Sequence, residues 1–396
     1  VSDAVAVASP ASGVRLAQLP PLALYVHIPW CVKKCPYCDF NSHQAKGDLP
    51  EKAYVGALVS DLEQALPEVW GRRVGSVFFG GGTPSLFSSG SIESLISAFR
   101  ARLTLAPDCE ITLEANPGTF ETEKFRGYRD AGVTRLSIGI QSFNPGHLQA
   151  LGRIHDDGEA RRAIEIAQRH FDNINLDLMY ALPGQTPEEA RADVATAIEA
   201  GVAHLSFYHL TIEPNTHFYR HPPALPDEDA SAAMQDAIAA ALEPAGYRDY
   251  ETSAWARPGR ECRHNLNYWR FGDYLGIGAG AHGKVSFRDR ITRSARWKQP
   301  RQYMERVSEG RPVEENREIG REDLVFEFMM NALRLTEGFP VAMLAERTGL
   351  QIALAEKPLR EAESRGLIER NHERIAPTEL GRRFLNDLLQ LFLPLR

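Results

Sequence analysis

The chain has 396 residues, of which 43% are hydrophobic and 24% charged, the composition of a globular chain long enough for two or three domains. Its formal net charge of −7 argues against a general attraction to nucleic acid, and no run of about twenty apolar residues is present to span a membrane. Five cysteines, an odd number with three at positions 31, 35 and 38, do not form a disulfide framework; they point to metal or redox chemistry in a reducing, cytoplasmic setting.

In chain order, residues 1–20 carry no basic cluster ahead of their short apolar run, so a disordered leader is expected there, not a signal peptide. Six β-rich runs follow: 22–28 (LALYVHI), 74–80 (VGSVFFG), 110–115 (EITLEA), 135–143 (RLSIGIQSF), 173–181 (NINLDLMYA) and 204–210 (HLSFYHL). Helical patterns lie between them at 51–69, 91–103, 122–131, 157–170 and 187–200. Strands alternating with helices of this length predict βα units and parallel pairing over residues 21–220. Pattern alone leaves a barrel and an open doubly wound sheet both standing. Either one puts a site at the carboxyl ends of the strands.

Residues 221–229 (HPPALPDED) read as a Pro-rich acidic linker into a helix at 230–242. An extended piece at 247–255 and a Gly-rich stretch at 274–283 complete a region spanning 221–318. From 319 to 396 the pattern is a helix at 322–335, two shorter helices, two extended pieces around a turn, and a last helix at 381–391. Three helices with a β-wing predict a small winged-helix-like domain. Given the acidic balance, packing or protein contact is the expected role for it, not DNA binding.

The first strand runs into YVHIPWCVKKCPYCDF. Its C-x3-C-x2-C spacing lets Cys31, Cys35 and Cys38 present three thiolates from one loop. Iron–sulfur clusters are held by cysteine thiolates, normally four, so three leave one iron open to a ligand. Zinc is the alternative reading, but it takes four Cys or His ligands, and Cys109 and Cys262 stand alone. Gly80–Pro84 (GGGTP) closes the second strand, where glycines allow close backbone approach to a ligand. Glu114, Gln141, Arg153 and Asp177 sit at or near later strand ends; a carboxylate suits a ribose or an ammonium group, and an arginine suits a carboxylate.

On these residues the chain resembles the radical S-adenosylmethionine (SAM) superfamily. YVHIPWC, GGGTP, LEANPG, RLSIGIQSF, LGRIH and DLMYALPGQT, in that order, resemble the coproporphyrinogen III dehydrogenase (HemN-like) family over about residues 22–290. The resemblance implies an α/β fold, a partial (βα)6 TIM-like barrel followed by the winged-helix-like domain. It also implies a [4Fe-4S] cluster on the three cysteines, and SAM contacts at Tyr25, Gly81, Gly82, Thr83, Glu114, Gln141, Arg153 and Asp177.

Two branches of that family differ at one position. The dehydrogenase carries a fourth cysteine two residues after the third, where this chain has Phe40. The haem-chaperone branch has phenylalanine there and an HNxxYW string, which here is His264, Asn265, Leu266, Asn267, Tyr268 and Trp269. Trp30 departs from the phenylalanine more usual before the first cysteine. An imidazole is a good axial haem ligand, and Tyr268 and Trp269 offer flat apolar surface to a porphyrin. The resemblance therefore implies haem binding at His264, Asn265, Tyr268 and Trp269, with haem, haem-acceptor proteins and an electron donor for the cluster as partners and a homodimer as a fitting assembly. Coproporphyrinogen decarboxylation and another radical SAM transfer reaction remain alternatives. A histidine followed by aromatics is also a common hydrogen-bonded core arrangement, and His282 is a further candidate ligand.

Overall fold

A computed structural model of the chain describes residues 14–118 and 122–394. Strands β1 (Leu22–Ile28), β2 (Arg73–Gly81), β3 (Thr104–Ala115), β4 (Arg135–Gln141), β5 (Ile174–Tyr180) and β6 (His204–His209) are consecutive parallel neighbours. Helices connect them, as the alternating pattern predicts. Leu22, Leu24, Val26 and Ile28 of β1 pack with Tyr54, Leu58 and Leu62 of the helix Glu51–Val69 in one large core. Each such aliphatic burial contributes about 1.5–3 kcal/mol. With a side-chain period of two, Tyr25 and His27 fall on the opposite, inner face.

Residues 221–318, expected as a linker and motif region, are built into both edges of the same sheet. β7 (Arg248–Glu251) and β8 (Ala254–Ala256) extend it beyond β6, with β8 antiparallel to β6. On the other edge β9 (Asp273–Ile277) pairs parallel with β1, and β10 (His282–Ser286), β11 (Ile291–Arg296) and β12 (Val313–Glu318) follow as an antiparallel ribbon. The order is therefore β12-β11-β10-β9-β1-β2-β3-β4-β5-β6-β8-β7, a twelve-stranded sheet. Its two ends do not pair with each other among the described residues, so the barrel is partial.

The C-terminal module has helices at Arg321–Ala332, Ala342–Thr348 and Glu356–Ser364, a three-stranded sheet, and a last helix broken at Phe384 into Glu379–Arg383 and Leu385–Gln390. This is the winged-helix-like arrangement expected. The leader differs from expectation where it is described. Val14 and Leu16 are buried in the core of this module beside Phe328 and Leu344, and Leu16 N–H donates to Arg288 O at 3.0 Å. Their apolar side chains find a partner that residues 21–220 do not offer. Residues 1–13 of the expected leader lie outside the described residues.

Two buried ion pairs join the β9–β11 ribbon to the barrel. Asp273 accepts from Lys284 Nζ at 2.8 Å and from Arg72 at 2.8 Å, and also takes the Ser286 hydroxyl and N–H. Asp61 accepts from Arg296 at 3.0 Å and from the Tyr303 hydroxyl at 2.8 Å. Removing one partner of a buried pair strands the other charge. Arg296→Ala, which leaves Asp61 buried without a cation, is thus expected to lower stability by about 3–5 kcal/mol, read as a shift in the urea midpoint. Arg301→Ala, which breaks the exposed Arg301–Glu305 pair, should cost at most about 1 kcal/mol.

Candidate cluster, SAM and haem sites

The cysteine loop is closed at its base by backbone pairing. Trp30–Cys31 pairs with His43–Gln44, and Ala45 N–H donates to Cys31 O at 2.8 Å. Inside the loop Cys38 N–H donates to Cys35 O, and Lys34 Nζ donates to the carbonyls of Phe40 and Ser42. All three cysteines are free and partly buried. Burial pushes the Cys31 and Cys38 thiols up, and the hydroxyls of Thr83 beside Cys31 and Ser42 beside Cys38 partly offset that. Among the described residues no group of three or more His, Cys, Asp or Glu side chains is gathered around one ion position. A cubane needs no such convergence, because each thiolate takes its own iron; three open thiols on one short loop fit that donor set.

The GGGTP turn is pressed against this loop. Gly82 N–H donates to Ile28 O at 2.8 Å and Thr83 N–H to Trp30 O at 2.7 Å. A Cβ on Gly82 would fall 2.5 Å from Trp30 O, so no larger residue fits. The residues expected to contact SAM divide into two groups. Thr83, Gln141 and Arg153 gather beside the cysteine loop. Arg153 donates to Asn116 Oδ1 at 2.6 Å, to Gly139 O at 2.7 Å and toward Cys35 Sγ at 3.7 Å. Asn116 Nδ2 reaches Thr83 Oγ1 at 2.9 Å. Gln141 adopts φ 69° and its amide lies over Gly139 with Asn116 and Arg153. Tyr25, Glu114 and Asp177 lie on the barrel's inner face, and Gly81 N–H joins the groups by donating to Glu114 Oε2 at 3.1 Å. Burial and the neighbouring Asp177 raise the Glu114 pKa to about 8. Burial also raises that of Asp177, against bonds from Ser137 and Asn175. A glycine turn without room for a Cβ, an arginine and two half-buried carboxyls fit a ligand with ammonium, carboxylate and ribose groups.

The HNxxYW string forms most of the short helix Arg263–Trp269. His264 is 1% exposed. Its Nδ1 bonds Ser76 Oγ at 3.0 Å and its Nε2 bonds the Tyr268 hydroxyl at 2.9 Å. Burial, with Arg135 in the same direction, lowers its pKa to about 3, so the ring is neutral. Neither nitrogen is turned to open space. Asn265 is half-buried. Tyr268 and Trp269, by contrast, line a cleft of 670 Å³ that also takes in Tyr25 and His27 of β1, the loop residues Lys34 and Asp39–His43, and inner-face residues of β9–β11. Of the residues that the sequence assigns to haem, the two aromatics line the cleft and the histidine lies outside it.

Asn41 and Lys298 were not singled out by sequence reasoning, and Asn116 only as a residue at the end of the third strand. Asn41 Nδ2 donates to Ala279 O and to Lys298 O, both at 2.9 Å, and its carbonyl bonds His27 Nε2 at 2.9 Å. It pins the cysteine loop to the turn between β9 and β10. A Cβ on Gly280 would fall 2.2 Å from its amide nitrogen, which accounts for a glycine in that turn. Asn116, in LEANPG, was the legible one of the three.

Comparison with known proteins agrees with this fold. A model described as the radical SAM superfamily matches residues 25–197, and one described as the HemN C-terminal domain matches residues 319–384. The heme chaperone HemW of Escherichia coli K12 is 50% identical over 380 residues, covering 96% of this chain and 100% of that protein. The heme chaperone HemW of Haemophilus influenzae is 48% identical over 384 residues, covering 96% and 99%. Among solved structures, coproporphyrinogen III oxidase (HemN) of Escherichia coli superposes with a TM-score of 0.80 at 24% identity, covering 94% of this chain and 90% of that one. At that identity the likeness is one of fold.

With its pKa near 8, the folded chain holds a proton on Glu114 between pH 4.5 and about 8 that the unfolded chain has released. Stability contributed by this group is full below that window and is lost as pH rises through it. Glu114→Gln removes the titration. Its urea midpoints, measured from about pH 5 to pH 9, should fall less with pH than those of wild type. Equal slopes would show that Glu114 ionises normally.

Proposed function

The chain belongs to the HemW family of radical SAM proteins, and from that membership we propose that it binds haem and passes it to haem-acceptor proteins, with a [4Fe-4S] cluster on Cys31, Cys35 and Cys38 and SAM beside it. The observation that carries this reading is the 670 Å³ cleft, walled by Tyr268, Trp269 and Tyr274 on one side and by the cysteine loop on the other. That size falls within the roughly 300–1,000 Å³ of small-molecule and cofactor sites. Aromatic faces suit a porphyrin plane, and Lys34, Arg293 and Lys298 around the cleft suit carboxylates.

When bound, a three-cysteine cluster offers an open iron for SAM and a source of one electron. The chain's own residues do the holding. The Gly81–Gly82 backbone and Thr83 form a close-fitting edge. Arg153 and Asn116 fix the loop side, and Glu114 and Asp177 present carboxyls from the barrel. His264 serves the haem side by holding the Tyr268 hydroxyl at the cleft wall. Phe40 is 65% exposed and lines the cleft, an apolar ring where the dehydrogenase branch has a thiol.

Two measurements test the reading. Cys35→Ala, reconstituted without oxygen, should lose most bound iron and sulfide together with the visible charge-transfer absorbance; full retention would sink the cluster assignment. Haem titrated into wild type should give a saturable Soret change near one haem per chain. Absence of specific binding would discard the chaperone reading.

A further inference from the structure

Four histidines lie in or beside the cleft. His264 is sealed, with both ring nitrogens bonded. His27 is also spent: Nδ1 meets the Tyr25 hydroxyl at 3.0 Å and Nε2 meets Asn41 O at 2.9 Å. His43 bonds the Lys298 backbone, and its Nε2 is buried without accessible surface, so no space for an iron adjoins it. His282 differs from all three. It opens β10, its side chain is exposed and lines the cleft, and its ring makes no hydrogen bond among the described residues. Burial of part of the ring and the nearby Lys298 and Arg293 lower its pKa, with Glu315 opposing, so the lone pair is available at neutral pH.

The cations around it are also unequal. Arg293 is already engaged by Glu327 at 2.7 Å and by the Tyr274 hydroxyl. Lys34 donates only to backbone carbonyls, and neither Lys34 nor Lys298 forms an ion pair among the described residues. A dianionic, planar ligand with a metal at its centre needs one open nitrogen, flat apolar walls and two free cations at the rim. The cleft offers this set, and among the histidines that line it only His282 has an open ring nitrogen among the described residues.

We propose that His282 supplies the axial nitrogen to haem iron in this cleft and that Lys34 and Lys298 hold the haem carboxylates. This rests on the haem-binding reading above. Coordination fills a vacant iron position with the imidazole lone pair, and no electron is transferred. His264 is then a positioning residue that keeps Tyr268 at the wall.

The test is a ferric haem titration of the cluster-loaded chain by Soret absorbance, with electron paramagnetic resonance and magnetic circular dichroism to identify the axial ligand. Wild type should show a histidine-ligated spectrum. His282→Ala should lose that signature and bind at least about tenfold more weakly, the scale of losing one strong central contact. Added imidazole should restore the signature. His282→Met keeps a side chain of similar length and should shift the ligand-field bands to a thioether type, which guards against a misfolded alanine variant. Lys298→Glu should weaken binding without moving the bands, whereas His264→Ala should keep the histidine signature. If wild type binds haem and the His282 variants keep its bands and affinity, this assignment is overturned and the chaperone reading stands. If wild type binds no haem, both fall.

Discussion

Two buried carboxylates hold together the frame on which both sites depend. Asp61, on the helix between β1 and β2, is 0% exposed and receives Arg296 of β11, Tyr303 and the Gly278 N–H. Asp273, at the start of β9, receives Lys284 of β10, Ser286 and Arg72. Burial would push the Asp273 carboxyl up, but the ammonium and guanidinium beside it more than offset this and hold it below the usual range. Such pairs do not need to add net stability to be decisive, because each charge is tolerable only while its partner stays. They fix the β9–β11 ribbon against β1, and so fix one wall of the cleft. The cysteine loop is then fastened to the same ribbon by Asn41, which bonds Ala279 and Lys298. The cluster loop and the cleft therefore share one rigid support.

The opposite end of the barrel is closed by a polar chain that would be costly if any member were missing. Asn175 bonds Ser137, Asp177 and His204; His204 reaches the Tyr250 hydroxyl at 2.8 Å; and Tyr250 accepts the Cys262 N–H at the start of the Arg263–Trp269 helix. Glu110 receives the Arg263 N–H at 2.9 Å from the neighbouring strand. Fully satisfied buried networks fix one arrangement, and here the thing being fixed is the helix that carries Tyr268 and Trp269. His264 belongs to this side of the structure by its bonds to Ser76 and Tyr268.

The barrel strands were legible because buried parallel strands are apolar on both faces and end at Gly, Pro or Asn, as in LALYVHIP and SVFFGGGTP. The cysteine loop and the glycine turn were legible because their chemistry is local: three thiols in one loop, and a turn where a Cβ meets backbone. The C-terminal module followed from its helical periods. The ribbon β10–β12 was not legible. Its last strand, VEENRE, alternates little and is exposed along most of its length, so pairing with a neighbour and not burial makes it a strand. Val14 and Leu16 were hidden for a related reason. Two apolar residues in a short polar context carry no period, and only a distant hydrophobic pocket gives them a place.

The histidines show where local pattern stops and geometry begins. His264 stands in a string rich in aromatics, which reads as a ligand, yet hydrogen bonds on both sides of the ring make it a structural group. His282 stands in a Gly-rich stretch with no aromatic beside it and reads only as a further candidate. It gains its setting from strand pairing, which puts it opposite Ala295 on β11, and from the cleft that brings Lys298 and Trp269 near it. A ligand nitrogen must be unpartnered and must face space, and both properties belong to the folded neighbourhood and not to the string. Burial has opposite value in the two cases. It makes His264 a reliable brace because the neutral ring cannot trade its bonds for water, and the lack of such bonds leaves His282 able to meet a metal.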